Sequence, residues 1–141
     1  MPSGLLGGRF FVMNIERSVC RLSFVSSDVD PTVPPSGTGC VECDAVDGWW
    51  VHLRRCAACG HIGCCDDSLA RHASAHWRET GHPIIRSFEP GEDWFWNYKS
   101  NEYYDGPDLA APDCRPRDQT VPGPRGRVPN DWADQLRRRD A

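Results

Sequence analysis

The sequence has no apolar run long enough to cross a membrane, and it has few residues with which to build a large core. Hydrophobic residues make up 39% of the 141 residues, whereas there are 13 Gly and 12 Pro. A membrane-spanning helix needs about 20 consecutive apolar residues, and no segment approaches that length. The first 13 residues contain a broken apolar run without a clear cleavage site, so they do not resemble a secretory leader. We therefore expect a cytoplasmic location, where thiols stay reduced.

Clustered positive charge is also lacking. The chain carries 16 basic and 20 acidic residues, which gives a formal net charge of −4. Proteins that bind along a phosphate backbone depend on clustered Lys and Arg. The charge balance therefore argues against a nucleic-acid-binding function, and no membrane partner is expected, since no segment is long enough to span a membrane. The Arg run at 137–139 is more typical of a solvated helix end.

Signals for regular structure are concentrated in the middle of the chain. The sequence predicts a mostly irregular N-terminal extension over 1–39, a structured domain over 40–104, and a peripheral Pro- and Arg-rich tail over 105–141. Early acids and late arginines predict a short helix over 130–139 within the tail. A segment of about 65 residues cannot usually stabilise itself by burying apolar surface alone. The middle domain is therefore expected to need another source of stability.

One helix between strands is predicted within the middle domain. Asp66, Asp67 and Ser68 offer N-cap groups, and Gly81 stops the helix. Strands are predicted over 49–53 and 83–88, followed by a hairpin formed by 93–98 and 102–104. The residues that recur at helical spacing share one helix face: Leu69, His72, Ala73, His76 and Trp77.

Eight side chains with metal-ligand chemistry lie within this domain. Two CxxC pairs are followed by one further Cys and three His, and the complete set is Cys40, Cys43, Cys56, Cys59, Cys64, His72, His76 and His82. Zinc prefers sulfur and nitrogen donors, and four of them fill one tetrahedral shell. Eight donors therefore predict two Zn²⁺ per chain. A catalytic zinc keeps one position open for water or substrate, so two full shells predict a structural role.

Spacing alone permits two divisions of these ligands. His72 and His76 are four residues apart and lie on the same side of a helix, which is compatible with both. A sequential division places Cys40, Cys43, Cys56 and Cys59 on one ion. An interleaved division places Cys40, Cys43, Cys64 and His72 on one ion, and Cys56, Cys59, His76 and His82 on the other. We expect the remaining Cys and His not to be ligands, namely Cys20, Cys65, Cys114, His52 and His61.

The string CVEC…WWVHLRRCAACGHIGCCDDSLARHASAHWRETGHPIIRSF resembles the zinc finger of ubiquitin-specific proteases (the UBP-type finger) over about residues 40–98. This module occurs in deubiquitinases, in a histone deacetylase and as stand-alone bacterial proteins. The resemblance implies an α+β fold, in which one main helix packs on a small zinc-stabilised, twisted antiparallel sheet. It also implies the interleaved division of the ligands. Some relatives carry a third zinc, but two of its Cys positions are matched here by Phe95 and Tyr98.

The resemblance also implies a peptide-binding function. In eukaryotic relatives the fold binds the free C-terminal Gly-Gly of ubiquitin through an Arg two residues after a ligand Cys. That position is Asp66 here, and a carboxylate would repel another carboxylate. Ubiquitin binding in the familiar mode is therefore disfavoured, unless Arg71, Arg78 or Arg86 replaces the missing Arg.

A protein or peptide, with a free C-terminal tail as one candidate, remains the expected partner. The aromatic positions that match the walls of the binding slot are Trp94 and Trp96, with Tyr103 and Tyr104 as neighbours. The composition, rich in Arg, Asp, Ala and Pro, suggests a GC-rich bacterial genome. We therefore expect a stand-alone, bacterial-type member whose partner is not ubiquitin itself.

Catalysis is not expected. The segment from His72 to His76 resembles the HxxxH part of a zinc protease helix, but Ala73 stands where the general base Glu would be required. A zinc-binding, non-enzymatic, protein-binding module is therefore the favoured function. The alternative is a redox- or zinc-responsive switch, in which oxidation of Cys65 or of a zinc thiolate releases the metal.

Overall fold

The computed structural model describes residues 28–140, so the predicted extension over residues 1–27 lies outside the described residues. The elements are α1 (Val41–Ala45), β1 (Leu53–Cys56), β2 (Ile62–Cys64), α2 (His72–Thr80), β3 (Ile84–Ser87), β4 (Phe95–Asn97), β5 (Glu102–Tyr104) and α3 (Trp132–Asp140). The five antiparallel strands form one sheet in the order β2-β1-β3-β4-β5. This is the expected α+β fold, with helices against a twisted antiparallel sheet.

The main helix α2 packs closely on one face of the sheet. A Cβ atom added at Gly63 in β2 would lie 2.7 Å from the backbone nitrogen of Ala73 in α2. Only a glycine leaves room for an approach this close. The opposite face carries a separate apolar cluster of Val29, Ala57, Ile84 and Phe95, against which Tyr104 and Leu109 pack. One face of the sheet therefore carries the main helix, and the other carries the apolar cluster.

Two predicted boundaries are wrong. Helix α2 begins at His72, and its N-cap residue is Arg71 in the left-handed conformation at φ 54°, without a side-chain cap. The predicted caps, Asp66 to Ser68, lie in the loop before it, because the chain must first turn to bring the His72 amide within 3.2 Å of Cys64 Sγ. The strand predicted over 49–53 begins only at Leu53. The strands predicted over 83–88 and in the 93–104 hairpin are confirmed.

The tail is not peripheral over residues 106–127, contrary to the sequence-based expectation. Trp50 and Gly123 exchange two backbone hydrogen bonds of 2.7 and 2.9 Å. The buried Arg115 donates from Nε to Glu89 at 2.9 Å and from its amide to the Phe88 carbonyl at 2.8 Å. The predicted tail helix is present as α3. No helix in the described part of the chain is long and apolar enough to span a membrane.

Arg55 joins three segments of the chain. Its side chain is only 1% exposed. It donates to the carbonyls of Val33 at 2.7 Å, Ala110 at 2.8 Å and Pro112 at 3.2 Å, and burial lowers the pKa of its guanidinium. A buried cation is costly unless it is hydrogen-bonded, so these carbonyls hold the segments before and after the finger against β1.

Candidate metal centres

The first ligand cluster, which we call site 1, combines Cys40, Cys43, Cys64 and His72. Nδ1 of His72 lies 3.3 Å from the sulfur of Cys40, 3.4 Å from that of Cys43 and 3.5 Å from that of Cys64. The sulfurs of Cys43 and Cys64 are 4.0 Å apart. In a tetrahedral zinc shell, bond lengths of about 2.3 Å to sulfur and about 2.0–2.1 Å to nitrogen separate S from N by about 3.6 Å and S from S by about 3.8 Å. Site 1 therefore has the dimensions of a zinc shell.

Local structure supplies the three sulfurs of site 1. Cys40 is the N-cap of α1, and its sulfur accepts from the Cys43 amide at 3.5 Å. Cys64 ends β2 and accepts from the His72 amide at 3.2 Å. Amide donors of this kind stabilise thiolates, and all three Cys are buried. The site is therefore closed and pre-organised.

Site 2 combines Cys56, Cys59, His76 and His82, whose ligand atoms all lie within 4.8 Å of one another. Cys56 Sγ lies 3.6 Å from His82 Nδ1, and Cys59 Sγ lies 3.3 Å from His76 Nε2. Cys59 is exposed, so site 2 is more open to solvent than site 1. The turn directly after Cys59 depends on Gly60 at φ 81°, where an added Cβ would lie 2.1 Å from the Pro34 carbonyl oxygen.

The electrostatics of both sites suit a bound metal ion. Hydrogen bonds with Cys40 and Cys64, together with burial, raise the pKa of Cys43. Hydrogen bonds with Cys40 and Cys43 lower the pKa of Cys64 to about 2. Three touching thiols thus share their protons unequally, and a divalent metal is what allows all three to be deprotonated. In site 2, burial and the neighbouring His61 and His82 lower the pKa of His76 to about 4, which keeps the imidazole in the neutral form that ligates metal.

Glu42 and His61 connect the two sites. The Glu42 carboxylate lies 2.8 Å from His61 Nε2. The His61 ring stacks on that of His76 with centroids 4.0 Å apart and an interplanar angle of 2°. Glu42 also approaches the sulfur of Cys40 at 3.8 Å. These two residues orient ligands of both sites, as groups next to a metal commonly do, and neither was singled out from the sequence as a positioning residue.

The fold produces the interleaved grouping, and His72 and His76 contribute to different sites. Within residues 28–140, two such clusters are present, and neither includes Cys65, Cys114, His52 or His61. Cys65 is only 4% exposed, and its sulfur lies 3.6 Å from Ser68 Oγ. Cys20 lies outside the described residues. Phe95, at a position of the third zinc in some relatives, is a core residue.

Comparison with known proteins decides the family. Residues 40–109 match the family model described as the Zn-finger in ubiquitin-hydrolases and other proteins. The chain belongs to this zinc-finger family. The chain is also similar to the solution NMR structure of protein RPA1320 from Rhodopseudomonas palustris, with 40% sequence identity and a TM-score of 0.53; the match covers 76% of this chain and 97% of that chain. No curated protein matches the sequence significantly. The finger thus binds two Zn²⁺ per chain, through residues whose donor types and distances fit that metal.

The α2 side of the sheet carries three neighbouring aromatic rings, the half-buried Trp94 and Trp96 and the exposed Tyr103, which we call the aromatic row. Trp96 and Tyr103 are direct cross-strand partners in β4 and β5. The Tyr103 ring stands edge-on to Trp96 at 5.1 Å and to Trp94 at 6.0 Å, and this side chain is 73% exposed. Tyr104, predicted as a neighbour, instead packs at 6.1 Å against Phe95 on the opposite face.

The cation beside this row is Arg54, which sequence reasoning did not identify. Its guanidinium carbon lies 4.7 Å above the Trp94 ring. The sequence held one signal for the position of Arg54. Residues alternate between the two faces of a strand, so Arg54 shares the sheet face of Cys56, two residues later. Asp66 is exposed. Burial of Tyr98 and the charge of the Asp66 carboxylate raise the pKa of the Tyr98 hydroxyl.

The three Arg residues proposed as substitutes have other surroundings. Arg71 lies 3.7 Å from Asp140. Arg86 lies 6.0 Å from the Phe95 ring and donates to the Asp113 carbonyl at 2.9 Å, on the side of the sheet away from the row. Arg78 is exposed in the last turn of α2.

Proposed function

We propose that this zinc finger is a non-enzymatic module that binds an extended peptide segment of a partner protein at the aromatic row. The observation that supports this most directly is that Tyr103 is 73% exposed although its ring lies between two Trp rings. Phe95 and Tyr104 on the opposite face serve the core, so the row is not needed for packing there. A cluster of aromatic side chains that is partly open to solvent is typical of interaction sites.

The position of the row suits an extended ligand. Its Tyr103 belongs to β5, which is one of the two edge strands of the sheet. A strand edge offers backbone donors and acceptors to an extended chain, and neighbouring pockets select its side chains. The partner is therefore a protein or peptide with an accessible extended segment, a free C-terminal tail being one such segment.

The arrangement of the ligands supports a non-enzymatic role. Each zinc site is filled by four protein donors, which leaves no position for water or substrate. The protease-like pair His72 and His76 is divided between two ions, and Ala73 is buried against β2 where a general base would stand. A cytoplasmic location fits the same chemistry, because the exposed Cys59 thiolate persists best in a reducing compartment. The alternative switch through Cys65 gains no support from its burial, since oxidation-sensing thiols are accessible.

The first test uses a stated probe, the peptide N-acetyl-Ser-Leu-Ser-Leu-Gly-Gly with a free carboxylate, titrated into the ¹⁵N-labelled, zinc-loaded protein. We expect the indole resonances of Trp94 and Trp96 to shift. The Tyr103→Ala variant should bind about tenfold more weakly, the loss of about 1–2 kcal/mol that an aromatic contact residue typically causes.

Trp132→Ala is the matched control, because Trp132 lies in α3 and outside the aromatic row. That variant should bind the peptide with unchanged affinity. Shifts that avoid the row, or a Tyr103→Ala variant that binds as well as the parent protein, would show that peptides do not bind there.

A further inference from the structure

His61 contacts two of the four ligands of site 2. Its ring lies parallel to the His76 ring, with centroids 4.0 Å apart and an interplanar angle of 2°. Rings at this separation are in van der Waals contact, so the His76 ring cannot tilt without displacing that of His61. The His61 carbonyl also accepts from the Cys56 amide at 2.8 Å. A change in the position of His61 therefore changes the geometry of site 2.

The same His61 ring is hydrogen-bonded to the segment that carries two ligands of site 1. Its Nε2 atom lies 3.0 and 2.8 Å from the two carboxylate oxygens of Glu42. Glu42 stands between Cys40 and Cys43 in the sequence, and its Oε1 atom is 3.8 Å from the Cys40 sulfur. The His61 side chain is only 13% exposed, so water competes weakly for this hydrogen bond.

Helix α2 also joins the two sites, because it contributes His72 to site 1 and His76 to site 2. A shared helix fixes the backbone of both residues, but the orientation of each ring depends on side-chain rotamers. The His76 ring contacts Cys59 and His82, which belong to its own site, and His61, which does not. His61 is therefore a contact through which the state of site 1 can affect that ring.

We propose that the hydrogen bond between Glu42 and His61 couples the two zinc sites, so that filling one site strengthens zinc binding at the other. Once Cys40 and Cys43 are held by an ion, α1 and its Glu42 are held as well. Glu42 then fixes His61, and His61 fixes the His76 ring, so the second ion meets donors that are already oriented.

This coupling has two consequences for the loading of the chain. It is reciprocal by thermodynamic necessity, because an ion in site 2 raises the affinity of site 1 by the same factor. The chain also passes from empty to fully loaded over a narrow range of free zinc. The inference concerns the zinc sites alone and does not depend on whether a peptide binds at the aromatic row.

Native mass spectrometry of the full chain, with free zinc set by a chelator buffer, measures the coupling. Two independent, equal sites leave about half of the chains with a single ion at half-saturation, whereas a hundredfold coupling leaves about one chain in ten in that state. We expect the parent protein to consist mainly of empty and two-ion chains.

His61→Phe keeps a flat ring against His76 but cannot hydrogen-bond to Glu42. The share of single-ion chains at half-saturation should rise at least about threefold in this variant, and Glu42→Ala should produce the same rise. The double variant should show no larger rise than either single variant, because both changes break one link. His52→Phe and Glu79→Ala are the matched controls, since neither residue belongs to a ligand cluster, and both should fill as the parent protein does.

At saturating zinc, every variant should still bind two ions. A share of single-ion chains near one half in the parent protein would overturn the proposal, as would unchanged filling in His61→Phe and Glu42→Ala. Lower zinc affinity without single-ion chains would also overturn it, because a fold that is merely destabilised loses both ions together. A double variant whose effect is the sum of the two single effects would mean that the residues act separately. A His61→Phe protein that never binds a second ion would mean that His61 forms site 2 and does not couple it to site 1.

Discussion

At the scale of single residues, the adjacent Cys64 and Cys65 show how the position of a thiol decides whether it can bind zinc. Both are buried, so burial does not distinguish them. Cys64 is the last residue of β2, and its sulfur lies 3.5 Å from His72 Nδ1. Cys65 instead approaches Ser68. One thiol is therefore a zinc ligand, and its neighbour is a packing residue.

This difference predicts the zinc content of two variants. Cys65→Ser should retain two zinc ions per chain, because Cys65 contributes to neither cluster. Cys64→Ser should lose the ion of site 1, because three remaining donors hold zinc far more weakly than four. Native mass spectrometry of both proteins counts the ions directly. Loss of an ion from Cys65→Ser would mean that Cys65 is the ligand.

The sequence predicted the eight ligands but not Arg54, and the reason is physical. Ligands are constrained by spacing along the chain, since CxxC knuckles and His residues four apart on a helix are local patterns. The position of Arg54 depends on which strands pair and in which register. That information arises from contacts between residues distant in sequence, here between Arg54 and Trp94.

At the scale of elements, the contact between α2 and β2 determines how the two zinc sites are placed. Helix α2 supplies His72 to site 1 and His76 to site 2, so its distance from the sheet affects both. Gly63 permits that distance, because an added Cβ would meet the backbone of Ala73 and His72 within 3.0 Å. Neither partner in this contact is a flexible side-chain end that could move away.

Gly63→Ala should therefore destabilise the protein by about 1–3 kcal/mol, the usual cost of overpacking. Gly37→Ala is the matched control, because nothing lies within 4 Å of a Cβ added at Gly37. The control should leave stability unchanged or slightly raised. Urea unfolding of the zinc-loaded proteins measures the difference, and equal midpoints for the two variants would show that the helix can shift at little cost.

The boundaries of helices and strands could be predicted only where polar and apolar residues alternate or where turn residues end an element sharply. The hairpin over 93–104 reads directly from aromatic residues around a polar turn. The start of α2 does not, because three good capping residues at 66–68 precede a loop instead of a helix. Metal ligation outweighs local capping preference there, since Cys64 and His72 must converge on one site.

At the scale of the whole molecule, the zinc sites hold a finger that the flanking chain then encloses. Val29 lies in the apolar cluster with Phe95, and Gly106 lies so close to Phe95 that an added Cβ would be 2.7 Å from its ring. The sequence did not predict this enclosure, because Pro- and Gly-rich segments carry no periodicity. Their attachment to Arg55 is through backbone carbonyls, which any residue type provides.

Zinc is expected to dominate the stability of this molecule. A structural zinc contributes about 10–16 kcal/mol in small fingers, whereas the net stability of a typical domain is about 5–15 kcal/mol. Removal of both ions would therefore cost more stability than the apolar clusters supply. It would also leave the thiols of site 1 without their counter-charge.

The measurement that tests the central claim most directly is native mass spectrometry of the chain, with near-ultraviolet circular dichroism before and after EDTA treatment. We predict two Zn²⁺ per chain and loss of the ordered Trp signal once both ions are removed. A single bound ion, a different metal, or a signal that survives complete zinc removal would contradict the account of a fold built on two interleaved zinc sites.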